Sequence, residues 1–221
     1  MYIPKGFIQE DSDQIKALVK NYPLASLVPV NAKELEASHI PLHLTEPETG
    51  TANHDCKNKG WKLIGHIAKA NPLWKNIEEK SKVLTIFQGP QSYITPNWYP
   101  TKKEHGKVVP TWNYAAVHIK GTLSFIHDTQ WKLDMLNSLT NQMEANETIP
   151  WQVSDAPSDY TAKLLNAIVG IEIHVNHAEG KWKLSQNQPK KNQAGVIEGL
   201  SKSQELTANA MGEMMKNKSS I

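Results

Sequence analysis

Residues 61–74 read Trp-Lys-Leu-Ile-Gly-His-Ile-Ala-Lys-Ala-Asn-Pro-Leu-Trp. Trp61 to Ala68 has the composition of a strand. Asn71-Pro72 then opens a short helix, with proline at its first position, that runs through Trp74 and Ile77. A strand passing this quickly into a helix leaves backbone N–H groups free at the turn. Lys69 and Lys75 flank those donors, so the turn has the makings of an anion site. Gly65 and His66 interrupt the strand. Such residues weaken a sheet unless the strand touches something besides its own neighbours.

Outward from this stretch the pattern is mostly β. Before it, Leu24 to Val30 reads as a strand and Glu34 to Leu44 as a second. In the second, Ser38, Ile40, Leu42 and Leu44 share one face, while His39, Pro41 and His43 share the other. Thr45 to Gly60 is a polar loop, expected to be a long hairpin connection. After it, Lys82 to Gln88 is a strand that Gly89-Pro90 ends, and Tyr93-Ile94 is a further short one. Thr111 to Ile126 holds two strands' worth of β-pattern, bent at Gly121. Ala167 to Val175 is another strand, followed by Gly180 to Gln186.

Helices fall around this run. Asp11 or Ser12 caps one from Ser12 to Lys20, with Ile15, Leu18 and Val19 as its apolar stripe. Asp128 caps a longer one to about Ala145, and Pro157 to Asn166 is a third. About seven strands joined by hairpins, with helices outside the run, define a mainly β chain with appended helices. This α+β pattern is a small antiparallel barrel rather than a series of βαβ units. Residues 1–190 carry the barrel. Residues 191–221 are a polar, Lys-rich tail with one weak helix from Ser203 to Met215.

The chain has 221 residues, 24 basic against 22 acidic, for a net charge of +2. That balance gives little non-specific pull toward nucleic acid or anionic lipid. The longest apolar run, Ala167 to Ile171, is far too short to cross a membrane. The N-terminus lacks a basic segment followed by an apolar one, and Cys56 is the single cysteine, so a cytoplasmic protein without disulfides is expected. All 24 basic residues are lysine. Bidentate clamping of phosphate by arginine is therefore unavailable.

No nucleophile elbow, Walker loop, dinucleotide fingerprint or zinc-protease motif is present. His39 and His43 on one strand are roughly 13 Å apart at strand rise, too far to share a metal. His174 and His177 have odd spacing and face apart. Cys56 has Lys57 and Lys59 beside it but no base to activate it. Lys181, Lys183, Lys190 and Lys191 form a run without acids that either faces phosphate or is simply solvated.

Four segments carry Gly, Pro, Asn, Trp or His inside strands: 36–42, 65–72, 87–90 and 105–114. The last offers Trp112 and Tyr114 for stacking a flat heterocycle and Asn113 for bonding its polar edge. With them come ASHIPL at 37–42, GHIAKANPLW at 65–74, FQGPQSYITPNWYP at 87–100, HGKVVPTWNYAAVH at 105–118, WQVSDAP at 151–157 and EGKWKLSQN at 179–187. In this combination and order the chain closely resembles the PaiB-type family of FMN-binding negative transcriptional regulators, part of the FMN-binding split-barrel superfamily.

The resemblance implies a split β-barrel that forms a homodimer, with FMN at two subunit interfaces. It implies that Ser38, His39, Ile40 and Pro41 line the isoalloxazine, largely through backbone. The same subunit would offer the turn formed by His66, Ile67, Ala68, Lys69 and Asn71 and the strand end at Gln88, with Lys69, Asn71 and Lys75 holding the phosphate. The second subunit would bring Trp112, Asn113 and Tyr114, or Trp182. Trp98, Tyr99 and Trp112 are the aromatic anchors such an interface would use. The function implied is transcriptional regulation, with any DNA contact through the Lys181–Lys191 face. Alternatives on the same scaffold are a flavin-dependent oxidoreductase, a haem protein using His39, His66 or His118, and a cofactor-free interaction protein. His39 and His66 are the histidines nearest the implied flavin, with packing and redox roles both open.

Overall fold

Alternating apolar residues in 24–29, 62–68, 82–94, 111–126 and 168–183 produce the sheet. The computed structural model describes residues 1–30, 35–47 and 60–219. Its strands are β1 (Ile8–Gln9), β2 (Leu24–Pro29), β3 (Ser38–Pro41), β4 (His43–Thr45), β5 (Lys62–Ala68), β6 (Lys82–Ile94), β7 (Thr111–Ile126) and β8 (Ile168–Lys183). The helices are α1 (Ser12–Asn21), α2 (Leu73–Asn76), α3 (Thr101–His105), α4 (Thr129–Glu144), α5 (Ser158–Asn166), α6 (Lys190–Ser201) and α7 (Leu206–Ser219). The strand order is β3-β2-β6-β7-β8-β5-β4, with β1 pairing β8 off this path.

The chain forms two compact units. One comprises Lys16–Phe87 and His118–Ala178; the other comprises Met1–Ile15, Gln88–Val117 and Glu179–Ile221. The first unit holds part of every strand on the path. Its terminal strands, β3 and β4, are consecutive in the chain with only Leu42 between them. Two edges joined by one residue require the sheet to curl onto itself, so this unit is a barrel. Inside lie Ala25, Leu27, Ile40, Leu42, Leu63, Phe87, Ile119, Leu123, Ile171 and Ile173. Burying each large aliphatic or aromatic side chain contributes about 1.5–3 kcal/mol.

Capping fixes the helix starts. The Asp11 carboxylate accepts the N–H of Asp13 at 2.8 Å, and that of Asp128 accepts the N–H of Trp131 at 2.7 Å. The stripe Ile15, Leu18 and Val19 is buried. On α4 the Lys132 ammonium is buried and donates to the Leu165 carbonyl at 2.6 Å, satisfying the end of α5.

Several boundaries differ from the sequence expectation. The strand expected over Glu34–Leu44 is two strands, because the Leu42 N–H turns aside to the Pro23 carbonyl at 2.9 Å. Residues 31–34 lie outside the described residues. Gly89-Pro90 does not end β6. Instead its buried positions change phase, from Val83, Thr85 and Phe87 to Pro90, Ser92 and Ile94, as an extra residue in a strand requires. β8 likewise changes phase, from Ile173 and Val175 to Gly180 and Trp182, which disguises one strand as two. Thr111–Ile126 is one strand, and Gly121 serves close approach: a Cβ there would lie 2.5 Å from the His174 carbonyl oxygen. The expected hairpin joins β4 to β5 as an antiparallel pair, with Leu44 opposite Leu63. Most of its loop, 48–59, lies outside the described residues.

In the second unit, β1 pairs β8 with Ile8 opposite Lys181. The segment expected as a polar tail is two helices, α6 and α7, which bury Val196, Leu200, Ala208, Met211 and Met215. Methionine and alanine among lysines hide the stripe from a hydropathy reading.

Candidate functional site

β3 forms the sheet edge beside β2, with Ser26 opposite His39 and Ala25 opposite Ile40. Gly65 of β5 has no side chain, and a Cβ there would meet the Pro41 carbonyl oxygen at 2.7 Å. β3 therefore lies directly against β5 at this point, without a backbone ladder between them. Beyond the contact the strands leave a cleft of about 310 Å³. Ser38, His39, Ile40 and Pro41 line one wall; His66, Ile67, Ala68 and Asn71 line the other. All eight are residues that the sequence pattern singles out.

His66 is half-buried, and its Nδ1 is buried with no hydrogen-bond partner among the described residues. Burial pushes its pKa below the usual histidine value, so the imidazole is neutral at neutral pH. A buried ring nitrogen without a partner is rare in a folded protein and marks a place where a ligand or water completes the bonding. His39 differs: its Nδ1 bonds the Ser26 hydroxyl at 3.1 Å. His43 bonds Gln142 at 2.5 Å across to α4, and His174 pairs with Glu172 at 2.9 Å. Among the described residues, no three His, Cys, Asp or Glu side chains converge as a metal site would require.

The strand-to-helix turn is tighter than expected. The Asn71 N–H bonds the Ala68 carbonyl at 2.9 Å, and the Asn71 side-chain oxygen accepts the Leu73 N–H at 2.9 Å. Pro72 is therefore the cap of a four-residue helix rather than its first helical residue, and two of the donors expected to be free are used internally. Lys69 and Lys75 are exposed and do not line the cleft. Trp74 ties them down. Its indole N–H donates to the Lys69 carbonyl at 2.9 Å, and the Lys75 ammonium lies 5.0 Å from its ring centre.

The other singled-out residues, Gln88, Trp112, Asn113, Tyr114 and Trp182, belong to the second unit. Trp112 is 48% exposed and donates from its indole to Gln91 at 3.2 Å. The Lys181 ammonium lies 5.2 Å from the Tyr114 ring centre. Asn113 is fully buried, and its carboxamide exchanges hydrogen bonds with the Ser185 hydroxyl at 3.0 and 3.1 Å. Trp182 is 2% exposed. Within this unit, Asn113 and Trp182 are core residues. Tyr99, taken from sequence as an interface anchor, is also buried at 3% exposure.

The lysine run is mostly engaged. Lys181 donates to the Tyr2 carbonyl at 3.1 Å, Lys183 to the Trp112 carbonyl at 2.9 Å, and Lys191 to both Glu104 oxygens at 2.6 Å. Among the described residues no helix is long and apolar enough to cross a membrane. Cys56 lies outside the described residues.

The barrel defines the class: a split β-barrel fold. A solved FAD- and haem-binding protein of Mycobacterium smegmatis shares that fold, with a TM-score of 0.55 at 13% identity over 87% of this chain and 80% of that one. Residues 1–177 match the family model described as "Putative FMN-binding domain", and the chain belongs to this family. The Bacillus subtilis protein named protease synthase and sporulation protein PAI 2 is 30% identical over 99% of this chain and 98% of its own. An uncharacterized protein of Emericella nidulans is 34% identical over 90% of each chain. FMN is the cofactor of the family. The surface that the cleft presents to such a group is more polar than apolar, with His66 and Asn71 among the residues that line it. A Cβ at Gly65 would crowd the strand contact that shapes it.

Proposed function

We propose that the protein is a homodimeric FMN-binding regulator of the PaiB type, with the flavin ring system seated between β3 and β5. The observation that carries this reading is the cleft, in which eight pattern-selected residues meet. Its volume, about 310 Å³, is at the low end for small-molecule sites, roughly 300–1,000 Å³. The ring system fills it, and the ribityl phosphate extends beyond it toward Lys69 and Lys75. When bound, FMN supplies redox chemistry that no side chain of this protein provides. The protein's part is to orient and shield it. Neutral His66 offers a hydrogen bond without adding charge. Asn71, its oxygen already held by Leu73, has its amide hydrogens left for the ligand.

The regulatory assignment rests on the PaiB family resemblance and on full-length similarity to the Bacillus protein named for protease synthesis and sporulation. Because Lys181, Lys183 and Lys191 are engaged internally, DNA binding through that face requires those contacts to be exchanged.

The test is the visible absorption spectrum of protein purified without added cofactor, repeated after incubation with FMN and desalting. Retained flavin bands support the reading; none before or after incubation overturns the cofactor assignment. Light scattering that finds a monomer with FMN bound overturns the dimer. DNA complexes that dissociate steeply with salt support direct regulation, and no complex with or without FMN removes it.

A further inference from the structure

Ser26 of β2 and His39 of β3 stand directly opposite each other, so their side chains share one face of the pair. The Ser26 hydroxyl lies 3.1 Å from the His39 Nδ1. His39 lines the cleft between β3 and β5, whereas Ser26 does not. His39 is also exposed, so packing does not hold its ring. The bond to Ser26 is the restraint that does. Among the described residues nothing engages the other ring nitrogen, Nε2.

A neutral imidazole carries one proton, and the bond made by one ring nitrogen sets the role of the other. The Ser26 hydroxyl has no acceptor besides Nδ1 among the described residues. Donation to Nδ1 satisfies the hydroxyl proton and leaves the ring's own proton on Nε2. The reverse arrangement strands the hydroxyl proton and makes Nε2 an acceptor. A flavin ring system carries carbonyl oxygens and unprotonated nitrogens along its polar edge, so a donor is complementary to that edge and an acceptor is not. His66, on the opposite wall, has no hydrogen-bond partner at Nδ1 among the described residues. The two histidines of the cleft therefore differ, and only His39 has its ring set by a neighbouring side chain.

We propose that Ser26 is a positioning residue of the flavin site: its hydroxyl fixes the His39 ring in the Nε2–H tautomer and aims that N–H at the acceptor edge of the ring system. The inference rests on the flavin reading and extends it to a residue outside the cleft wall. Ser26 acts through His39 and does not touch the flavin. A ring already held in orientation loses less freedom when the ligand arrives, so more of the contact appears as affinity.

The test uses the full chain, first without FMN. The His39 ring nitrogens are read by 15N NMR at about pH 8.5, above the ordinary histidine range, with His39→Ala for assignment. Wild type shows a protonated Nε2 and a bare Nδ1. Ser26→Ala shows both tautomers, and Ser26→Thr, which keeps the hydroxyl on a residue suited to a strand, restores the wild-type pattern. A protonated Nδ1 in wild type, or a Ser26→Ala spectrum identical to wild type, overturns the proposal whatever FMN does. Fluorescence titration then compares FMN and riboflavin. Ser26→Ala and His39→Ala each weaken both ligands roughly 3–10-fold, as loss of one hydrogen bond implies, because the contact is to the ring system and not the phosphate. The double variant is no weaker than His39→Ala alone. A further loss from Ser26→Ala in the His39→Ala background means that Ser26 acts on the strand itself, and overturns the proposal. If wild type retains FMN and neither variant weakens it, the proposal falls while the flavin reading stands. If wild type binds no FMN, the flavin reading falls and takes this proposal with it.

Discussion

A methyl group placed on Gly65 would lie 2.7 Å from the Pro41 carbonyl oxygen and 2.9 Å from Leu42 Cδ2. Carbon does not approach a backbone oxygen so closely, so Gly65→Ala has to displace β3. The strand resists, because Pro41 is held opposite Leu24 in the ladder and the Leu42 N–H is bonded to Pro23. Leu42 is also fully buried, so it has no room to retreat. Overpacking of this kind costs about 1–3 kcal/mol. Alanine's lower entropy in the unfolded chain returns about 0.5–1 kcal/mol. A net loss near 1–2 kcal/mol lowers the melting midpoint of a chain this size by roughly 2–8 °C. The displaced wall is the one formed by Ser38 to Pro41, so FMN retained after desalting falls as well. The control is Gly6→Ala, whose Cβ meets nothing within 4 Å and which should stay within about 0.5 kcal/mol of wild type. Calorimetric midpoints and flavin absorbance on the same preparations decide the matter. An unchanged midpoint for Gly65→Ala refutes the close approach of β3 to β5. A lowered midpoint with full FMN retention refutes the cleft as the cofactor's seat.

Burial holds the His66 pKa down, so on acidification the unfolded chain takes up this proton before the folded chain does. Stability therefore falls as pH drops through about 6.5 and below, and His66→Gln flattens that fall; urea midpoints at about pH 7.5 and 5.5 show it. Removing both cations in Lys69→Ala with Lys75→Ala weakens FMN by about 1–3 kcal/mol, or roughly 10–100-fold, and leaves riboflavin unaffected. Flavin fluorescence titration measures both ligands. Asn113→Ala strands the Ser185 hydroxyl in the core and lowers stability by about 2–3 kcal/mol, read from denaturant midpoints. A variant that loses FMN at unchanged stability would contradict the structural role of Asn113.

Local signals carried much of this fold. Asp11 and Asp128 announce helix starts because a side-chain cap is a contact between near neighbours in sequence. Strand identity in 24–29 and 62–68 follows from alternation alone. What escaped depends on distant partners. Nothing local reveals that Leu42 turns its N–H to Pro23, so the broken β3–β4 segment reads as one strand. The changes of phase in β6 and β8 defeat a period-two reading, since each half is regular and only the junction is not. The helix expected from Ser203 to Met215 is α7, whereas α6 escapes, because only Val196 and Leu200 mark its buried face among polar residues. The cleft fared better than the boundaries, since Gly, His, Pro and Asn inside strands mark positions unsuited to plain sheet. The same signal led to Asn113, where an internal bond to Ser185 accounts for the amide in the core.

A chain without arginine has to solve phosphate recognition with lysine, a flexible side chain whose single charge imposes little direction. Trp74 supplies that direction here. Its indole N–H grips the Lys69 carbonyl, fixing the backbone at the end of the turn, while its face holds the Lys75 ammonium 5.0 Å from the ring centre. The ring is itself braced edge-on by His127, with centroids 5.6 Å apart. The Lys69 backbone and the Lys75 ammonium are thus tied to one ring. An ammonium already confined over an aromatic face loses less rotamer freedom when an anion arrives, so more of the electrostatic attraction appears as affinity. Each lysine in the 181–191 run that is buried or ion-paired lacks that readiness toward an outside ligand. If the proposed flavin seat is right, this preorganisation of the Lys75 ammonium, rather than the number of positive charges, is what would favour it as a phosphate partner.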